Sequence, residues 1–320
     1  MRNVLLAVVL FALFACGGHG AAPAGPPRVD FDHDPLVLVP GSAVALASVD
    51  ARPPPDASAA GQPAGSPAAS TVVGAIADWF VPLADDAAFQ ASRDVDRVLL
   101  AAYQTGGVEL AAVFSGRFDA ARIAAATRSR YGIPVARGTY AGFATYSVGS
   151  VTFAPLTAGT LVAGMGDGLR RVLERVRDGK LERSVPPWVA ETVETKGAQV
   201  AVAADFASQP IAAATVGAIQ LPWLEGVRVA RILGNFAPPG VNVAGTVTYG
   251  NPQQAGAAAD GIKVANGWLD RLGPLLGGIK LQGFTVSTSG SDVLCKFAVD
   301  DHSLGAALAL AKRFLPTPTQ

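Results

Sequence analysis

The chain has few charged residues and no block of charge of one sign. Of its 320 residues, 16% are charged, and 25 acidic side chains balance the 25 basic ones. Proteins that bind nucleic acid cluster lysine and arginine against the phosphate backbone. A neutral chain without such a cluster lacks this attraction, so we expect no nucleic-acid partner. Half of the residues are apolar, which is enough for a substantial core.

The chain also lacks the motifs that mark common catalytic sites. It contains no Gly-x-Ser-x-Gly elbow, no His-Glu-x-x-His and no Ser-x-x-Lys. Among three histidines, His302 follows Asp300 and Asp301, where capping of a predicted helix by Asp301 explains the acidic pair. A hydrolase would need a cleft that holds His302 or His33 beside a serine and a carboxylate. We therefore predict a protein that is not an enzyme and needs no cofactor.

Two local patterns come close to ligand-binding motifs and fail on spacing. Residues 30–34 alternate carboxylates as a calcium loop does, but Pro35 and Gly41 stand where that loop needs Gly and Glu. Residues 164–168 form a glycine-rich turn between a predicted strand and helix, but Leu169 stands where dinucleotide binding needs Gly or Ala. We predict a solvated acidic segment and a tight turn with a capping aspartate, and no metal or nucleotide site.

The longest apolar run is short and lies at the N-terminus. Residues 4–15 follow Arg2 and end in small residues, as in a secretory signal peptide. The run is shorter than the roughly 20 residues of a membrane-spanning helix. Its end, Leu13-Phe14-Ala15-Cys16, resembles the lipobox of bacterial lipoproteins. The resemblance implies cleavage before Cys16 and a diacylglycerol on the Cys16 thiol.

The same resemblance implies a location. A lipid on Cys16 would anchor the protein to a bacterial membrane. Lipoproteins retained at the inner membrane commonly have aspartate after the cysteine, and Gly17 stands there in this chain. We therefore expect the bacterial cell envelope, with the outer membrane favoured.

The cysteine count excludes a disulfide framework if Cys16 is acylated. The chain has two cysteines, so Cys295 would have no partner. In a predicted strand, Cys295 alternates with Lys296 and shares a side with Val293 and Phe297. We expect Cys295 to be a small apolar filler of the core.

Composition and periodicity predict an α+β fold with two related units of mixed or antiparallel sheet. The predicted segments, in chain order, are a signal peptide at 1–15, a disordered tether at 16–35, a first α+β unit at 36–182 with a disordered Pro/Ala-rich insertion at 51–70, a connecting helix at 183–196, a second α+β unit at 197–315 and a tail at 316–320.

The pattern of apolar residues predicts seven helices and at least eleven strands. We place helices at 72–89, 119–130, 167–177, 187–194, 210–219, 252–276 and 302–315. We place strands at 43–49, 95–103, 108–114, 139–148, 151–156, 160–165, 199–206, 227–234, 241–249, 280–288 and 292–299.

The order of these elements indicates an internal duplication. Residues 97–99 (Arg-Val-Leu) resemble 231–233 (Arg-Ile-Leu) at an offset of 134, and Asp167 and Asp301 share that offset. Residues 41–47 resemble 197–203 at an offset of 156. The two offsets differ by 22, about the length of the predicted insertion.

Three hypotheses of function follow. The first is an envelope-anchored lipoprotein with a non-catalytic binding or scaffold role and an unknown protein or lipid partner. The mature region resembles uncharacterised bacterial lipoproteins that have no assigned activity. The second is a carrier of a lipid or other apolar ligand between sheet and helices, which requires a large apolar cavity. The third is a hydrolase without a recognisable motif.

Overall fold

The structure is a computed structural model that describes residues 31–52, 66–84, 89–105, 109–211, 215–216, 219–220, 222–238, 240–273 and 277–314. Cys16, the predicted signal peptide and most of the predicted tether lie outside the described residues.

One antiparallel sheet of twelve strands organises this part of the chain, and a separate two-stranded ribbon accompanies it. The order across the sheet is β13-β14-β12-β11-β8-β1-β2-β3-β7-β6-β5-β4, and the ribbon is β9-β10. The strands are β1 Ala45–Asp50, β2 Val95–Ala102, β3 Leu110–Gly116, β4 Ala136–Tyr140, β5 Phe143–Val148, β6 Val151–Pro155, β7 Thr160–Met165, β8 Val200–Asp205, β9 Thr215–Val216, β10 Ile219–Gln220, β11 Val227–Ala237, β12 Gly240–Tyr249, β13 Gln282–Ser289 and β14 Asp292–Asp300.

Helices pack on both faces of the sheet. They are α1 Pro67–Phe80, α2 Ala91–Asp94, α3 Ala120–Ala125, α4 Gly168–Arg177, α5 Pro187–Val193, α6 Pro252–Leu272 and α7 Asp301–Phe314, with 3₁₀ turns at Pro35–Leu38 and Pro222–Leu224. The α+β class predicted from the sequence is therefore confirmed. Both predicted units belong to a single sheet, because β1 of the first half pairs directly with β8 of the second.

The strand order repeats on the two sides of that central pair. Outward from β1 the order is β2, β3, β7 and β6, and outward from β8 it is β11, β12, β14 and β13. Arg97 and Arg231 lie in the first strand after the centre on each side, as the offset of 134 requires. The strands thus have the arrangement that a duplication predicts.

The second offset is wrong by one residue. An offset of 156 would match Leu46 with Val202, but Leu46 is buried and Val202 is half-buried and lines the opposite face of the sheet. The burial patterns of β1 and β8 are identical when Ala45 matches Val200, an offset of 155. A shift of one residue moves every side chain of a strand to the other face of the sheet. The burial of the side chains therefore decides which residues of β1 and β8 correspond in the repeat.

The helices do not follow the repeat. Helix α4 packs on β3 and β7 together with the turn Pro35–Leu38, whereas α7 packs on β12, β14 and α1. Asp167 and Asp301 therefore precede helices on opposite faces of the sheet. We call these the α4/α5 face and the α1/α7 face. Helix α6 also covers the α1/α7 face, where Val247, Val286 and Val293 contact it.

The principal core lies between α1 and the first half of the sheet. Phe80, Phe114 and Phe153 are fully buried there, and the rings of Phe80 and Phe114 meet edge to face with centroids 6.0 Å apart. Removing side chains of this size from a closely packed core costs about 3–5 kcal/mol.

Several predicted elements are wrong in place or type. The helix predicted at 210–219 is replaced in its described part by the ribbon β9-β10. The strand predicted at 139–148 is a hairpin of β4 and β5 that turns at Ala141 and Gly142, both with positive φ, so alternation continued across a turn and concealed it. The helix predicted at 72–89 is α1, which starts earlier, at Pro67, and ends at Phe80, before Pro82. The helix predicted at 119–130 ends at Ala125.

Two predicted boundaries also move. The tether was placed at 16–35, but Asp32 accepts hydrogen bonds from Thr157 and Thr160, and Asp34 pairs with Arg183. The fold therefore includes residues from 31 onwards. The disordered insertion was placed at 51–70, but α1 begins at Pro67. Residues 53–65 lie outside the described part.

A pair of glycines tests the packing of helix on sheet. At Gly168, the first residue of α4, an added Cβ would lie 1.9 Å from the carbonyl oxygen of Leu110, whereas at Gly256 in α6 no atom lies within 4 Å. We expect Gly168→Ala to lower the free energy of unfolding by about 1–3 kcal/mol through overpacking. We expect the control, Gly256→Ala, to raise it by about 0.5–1 kcal/mol. Urea denaturation measures both, and equal effects would contradict the close approach of α4.

Candidate functional site

The residues that sequence analysis considered for chemistry do not converge. Cys16 lies outside the described residues. His33 and His302 lie at opposite ends of the described chain, in the turn that precedes Pro35–Leu38 and at the start of α7. No group of three or more His, Cys, Asp or Glu that could hold a metal ion occurs among the described residues.

The acidic segment at 30–34 is structural where it is described. Asp32 receives hydrogen bonds from two threonine hydroxyls of the β6–β7 turn and start of β7. Asp34 forms an ion pair of 2.8 Å with Arg183, which also pairs with Glu194 at 2.6 Å. The contacts of Asp32 bind the start of the fold to the β6–β7 turn and the start of β7, and those of Asp34 bind it to the segment around α5. The predicted solvated segment is therefore an attachment point of the chain.

The surroundings of His302 serve the start of α7. The backbone N–H of Ser303 donates to Oδ1 of Asp300 at 2.7 Å, so Asp300 is the helix cap and the expectation of Asp301 was wrong. The Ser303 hydroxyl accepts from the N–H of Lys280 and donates to the carbonyl oxygen of Gly278. A hydrolase built on His302 would need a serine and a carboxylate nearby. Ser303 and Asp300 are instead engaged in hydrogen bonds at the start of α7.

The glycine-rich turn is explained by packing. At Gly164 and Gly168, an added Cβ would lie within 3 Å of backbone atoms of Leu169 and Leu110 respectively. Asp167 makes no side-chain cap and instead forms an ion pair of 3.3 Å with Arg170, which corrects the predicted cap. The predicted tight turn is confirmed.

Cys295 lies where alternation placed it. Val293 next to it on the same side of β14 is fully buried, and Lys296 is exposed on the other side. The Cys295 thiol is half-buried, and its burial raises its pKa. A thiol with a raised pKa is mostly protonated at neutral pH, which makes it a poor nucleophile.

An apolar cavity lies between the centre of the sheet and the helices α1 and α7. Its volume is about 370 Å³, and all thirteen residues that line it are apolar. Ala45 and Ala47 of β1 form part of its floor, Ile76 and Trp79 of α1 one wall, and Leu308 of α7 another. The volume falls in the range of pockets that bind small molecules.

The cavity exists because its floor is made of small side chains. Ala45, Ala47 and Ala102 lie side by side on neighbouring strands, and they leave the space that larger residues would fill. Ile76, Trp79 and Leu308 are half-buried, so solvent reaches the cavity walls. In the sequence, the alternating alanines at positions 43, 45 and 47 are the signal of this space.

The other tryptophans differ in their surroundings. Trp188 on α5 lies beneath the guanidinium of Arg231, which is 4.9 Å from the ring centroid. Trp223 packs against α6. Trp268 on α6 is 56% exposed.

Comparisons with known proteins show a fold and no family. No protein-family model and no curated protein matches this chain. A solved structure titled crystal form III of TP0453 is similar at 12% identity, with a TM-score of 0.51, and the match covers 86% of this chain and 98% of that one. Crystal form I of TP0453 matches at 12% identity with a TM-score of 0.49, covering 87% and 97%. At this identity the likeness concerns the fold alone.

No helix in the described part of the chain is both long and apolar enough to cross a membrane.

The cap of α7 gives a test of the helix that closes the cavity. The N–H of Ser303 holds the pKa of Asp300 below its usual value, so this contribution to stability is present at neutral pH and is lost as pH falls through the lowered pKa. We expect Asp300→Ala to lower the free energy of unfolding by about 1 kcal/mol at pH 7, and we expect the loss to shrink below about pH 4. Asp300→Asn keeps an acceptor oxygen and should lose less. Urea denaturation at pH 7 and pH 3 measures this, and an equal loss at both would count against the cap.

Proposed function

We propose that this chain is a bacterial lipoprotein, acylated at Cys16 and anchored in the cell envelope, whose folded part binds an apolar ligand in the cavity between the sheet and helices α1 and α7. The observation that carries the proposal is the lining of that cavity. A space with thirteen apolar residues around it offers a ligand burial of apolar surface, and the indole N–H of Trp79 is the one polar side-chain group among those residues.

The cavity favours a carrier over a scaffold. Unfilled space inside a protein lowers its stability, because the surrounding atoms lose packing contacts. A protein that only holds others together gains nothing from such a space, whereas a carrier needs it. The lining comes from six separate parts of the chain, at residues 45–47, 75–80, 100–102, 110, 202 and 308, so the space is a product of the whole fold.

The anchor rests on the N-terminal sequence. The lipobox-like end at residues 13–16 places a cysteine directly after an apolar run, and each acyl CH₂ buried in the bilayer contributes about 0.8 kcal/mol. The proposed partner is therefore the bacterial membrane, with the outer membrane favoured by Gly17. We propose no catalytic role, since Asp300 and Ser303 serve the start of α7.

The anchor is tested at the cysteine. We expect Cys16→Ala to release the protein from the membrane fraction, because no lipid can then be attached. Intact-mass analysis of the wild-type protein should show a chain that starts at Cys16 and carries a diacylglycerol.

Gly17→Asp is the matched control for the anchor. It keeps Cys16, so this variant should stay in the membrane fraction and move towards the inner membrane. A bare thiol in the wild type, an uncleaved signal segment, or membrane retention of Cys16→Ala would refute the anchor and leave the cavity proposal standing.

The cavity is tested with a photoreactive fatty acid that carries a diazirine group. In membranes that contain the exported protein, we expect labelling to concentrate in peptides from α1 and α7. Ala47→Leu fills part of the cavity and should reduce that labelling at least roughly tenfold, since each ligand methylene left unburied costs about 0.8 kcal/mol.

Ala144→Leu is the matched control for this experiment, because Ala144 is an exposed alanine of β5 outside the cavity. Labelling of this variant should equal that of the wild type. Labelling spread evenly over the surface, or labelling that Ala47→Leu does not change, would contradict the carrier function.

A further inference from the structure

A groove of about 600 Å³ lies on the α4/α5 face, over the strands of the second half. Helices α6 and α7 both pack on the other face of these strands, so within the described ranges no helix lies over β12, β13 and β14 on this side. Helix α5 forms one wall of the groove through Trp188, Glu191 and Thr192.

The ladder register arranges the floor of the groove in two rows that run across four strands. Side chains in one row lie directly opposite one another on neighbouring strands, about 5 Å apart. The first row is Arg231, Thr246, Leu294 and Ser287, and the second is Leu233, Ala244, Lys296 and Thr285.

Each row contains one cation and at least one hydroxyl. Arg231 lies opposite Thr246, and Lys296 lies opposite Thr285. Neither Arg231 nor Lys296 has a carboxylate within 4.0 Å among the residues that the structure describes. Both side chains are exposed, so their charges face the groove without an ion pair from the described part of the chain.

Trp188 restrains the first of these cations. The Arg231 guanidinium lies over the Trp188 ring, 4.9 Å from the ring centroid, which is a cation–π contact. A restrained guanidinium loses less freedom when it binds an anion, and its planar group of N–H donors matches the oxygens of a phosphate. Glu191 at the wall leaves a net charge of +1 on the lining residues.

We propose that this groove binds a phosphate group, held between Arg231 and Lys296 and by the hydroxyls of Thr246 and Thr285. The two cations stand two strands and one row apart, a separation that a tetrahedral anion with several oxygens can bridge through two long side chains. Leu294, which is 41% exposed, offers apolar contact to the body of an ester. This site lies on the opposite face from the cavity and does not depend on it.

The test uses the exported, acylated protein in a sugar-based detergent without phosphate. Phosphorus NMR line broadening follows titrations with inorganic phosphate and with glycerol 3-phosphate. We expect Arg231→Gln and Lys296→Gln each to weaken binding about tenfold or more, since each removes a charge-assisted hydrogen bond. Thr246→Val should weaken it less, and added salt should weaken wild-type binding.

The matched control is the double variant Arg137→Gln with Lys263→Gln. It removes two positive charges at exposed positions of β4 and α6, outside the groove. This variant should bind phosphate as the wild type does. Tighter binding of glycerol 3-phosphate than of inorganic phosphate would support a phosphate ester such as a lipid head group as the ligand, and equal binding would support a free phosphate.

Three results would overturn the proposal. The first is phosphate binding that Arg231→Gln and Lys296→Gln leave unchanged, and the second is an equal loss in the control variant. The third is competition by acetate as strong as that by phosphate, because it would show a general attraction for anions or for acidic protein segments.

Discussion

The structure depends on the pairing of β1 with β8, two alanine-rich strands that join the halves of the chain. Ala45 pairs with Ala204, Leu46 with Ala203 and Ala47 with Val202. This antiparallel ladder makes one sheet out of two repeats, so neither half can bury its central strand without the other. Small side chains on these strands also set how much space remains between the sheet and the helices above it. The apolar cavity follows from the same residues that join the halves.

The groove on the α4/α5 face is open because the helices are placed unevenly on the two halves of the sheet. If α7 lay on the same face as α4, its counterpart in the repeat, the strands of the second half would be covered on the α4/α5 face. Because α7 packs with α1 instead, those strands present Arg231, Thr246 and Lys296 to solvent. Their exposed face is mostly polar, which removes the cost that an open apolar sheet face would carry. Sequence and topology therefore agree on which face is open.

The strands were largely predictable from the sequence and the helices less so. The apolar pattern located β7 at its observed residues and β8, β12 and β14 to within one residue at each end. In β7 every residue is buried, so a short apolar run between turn residues, and not alternation, marked that strand. The helix expected at 210–219 failed because local apolar spacing does not reveal what a segment packs against. The carrier hypothesis required a cavity between sheet and helices, but its position and lining could not be predicted, because they depend on Ala45, Ala47 and Ala102 meeting beneath helices that come from distant parts of the chain. The cap at Asp300 was missed by one residue because two aspartates stand together.

The two proposed sites lie on opposite faces of neighbouring strands, and the alternation of the backbone keeps them apart. Val202 faces the cavity, while its ladder partner Ile232 is followed by Leu233 and preceded by Arg231, which both face the groove. A side chain can serve only one face of a strand, so substitutions in the cavity leave the charges of the groove in place. The apolar cavity suits an apolar ligand and the two cations of the groove suit an anionic group, and the continuous sheet lies between the two sites. The two proposed sites would therefore bind separate ligands.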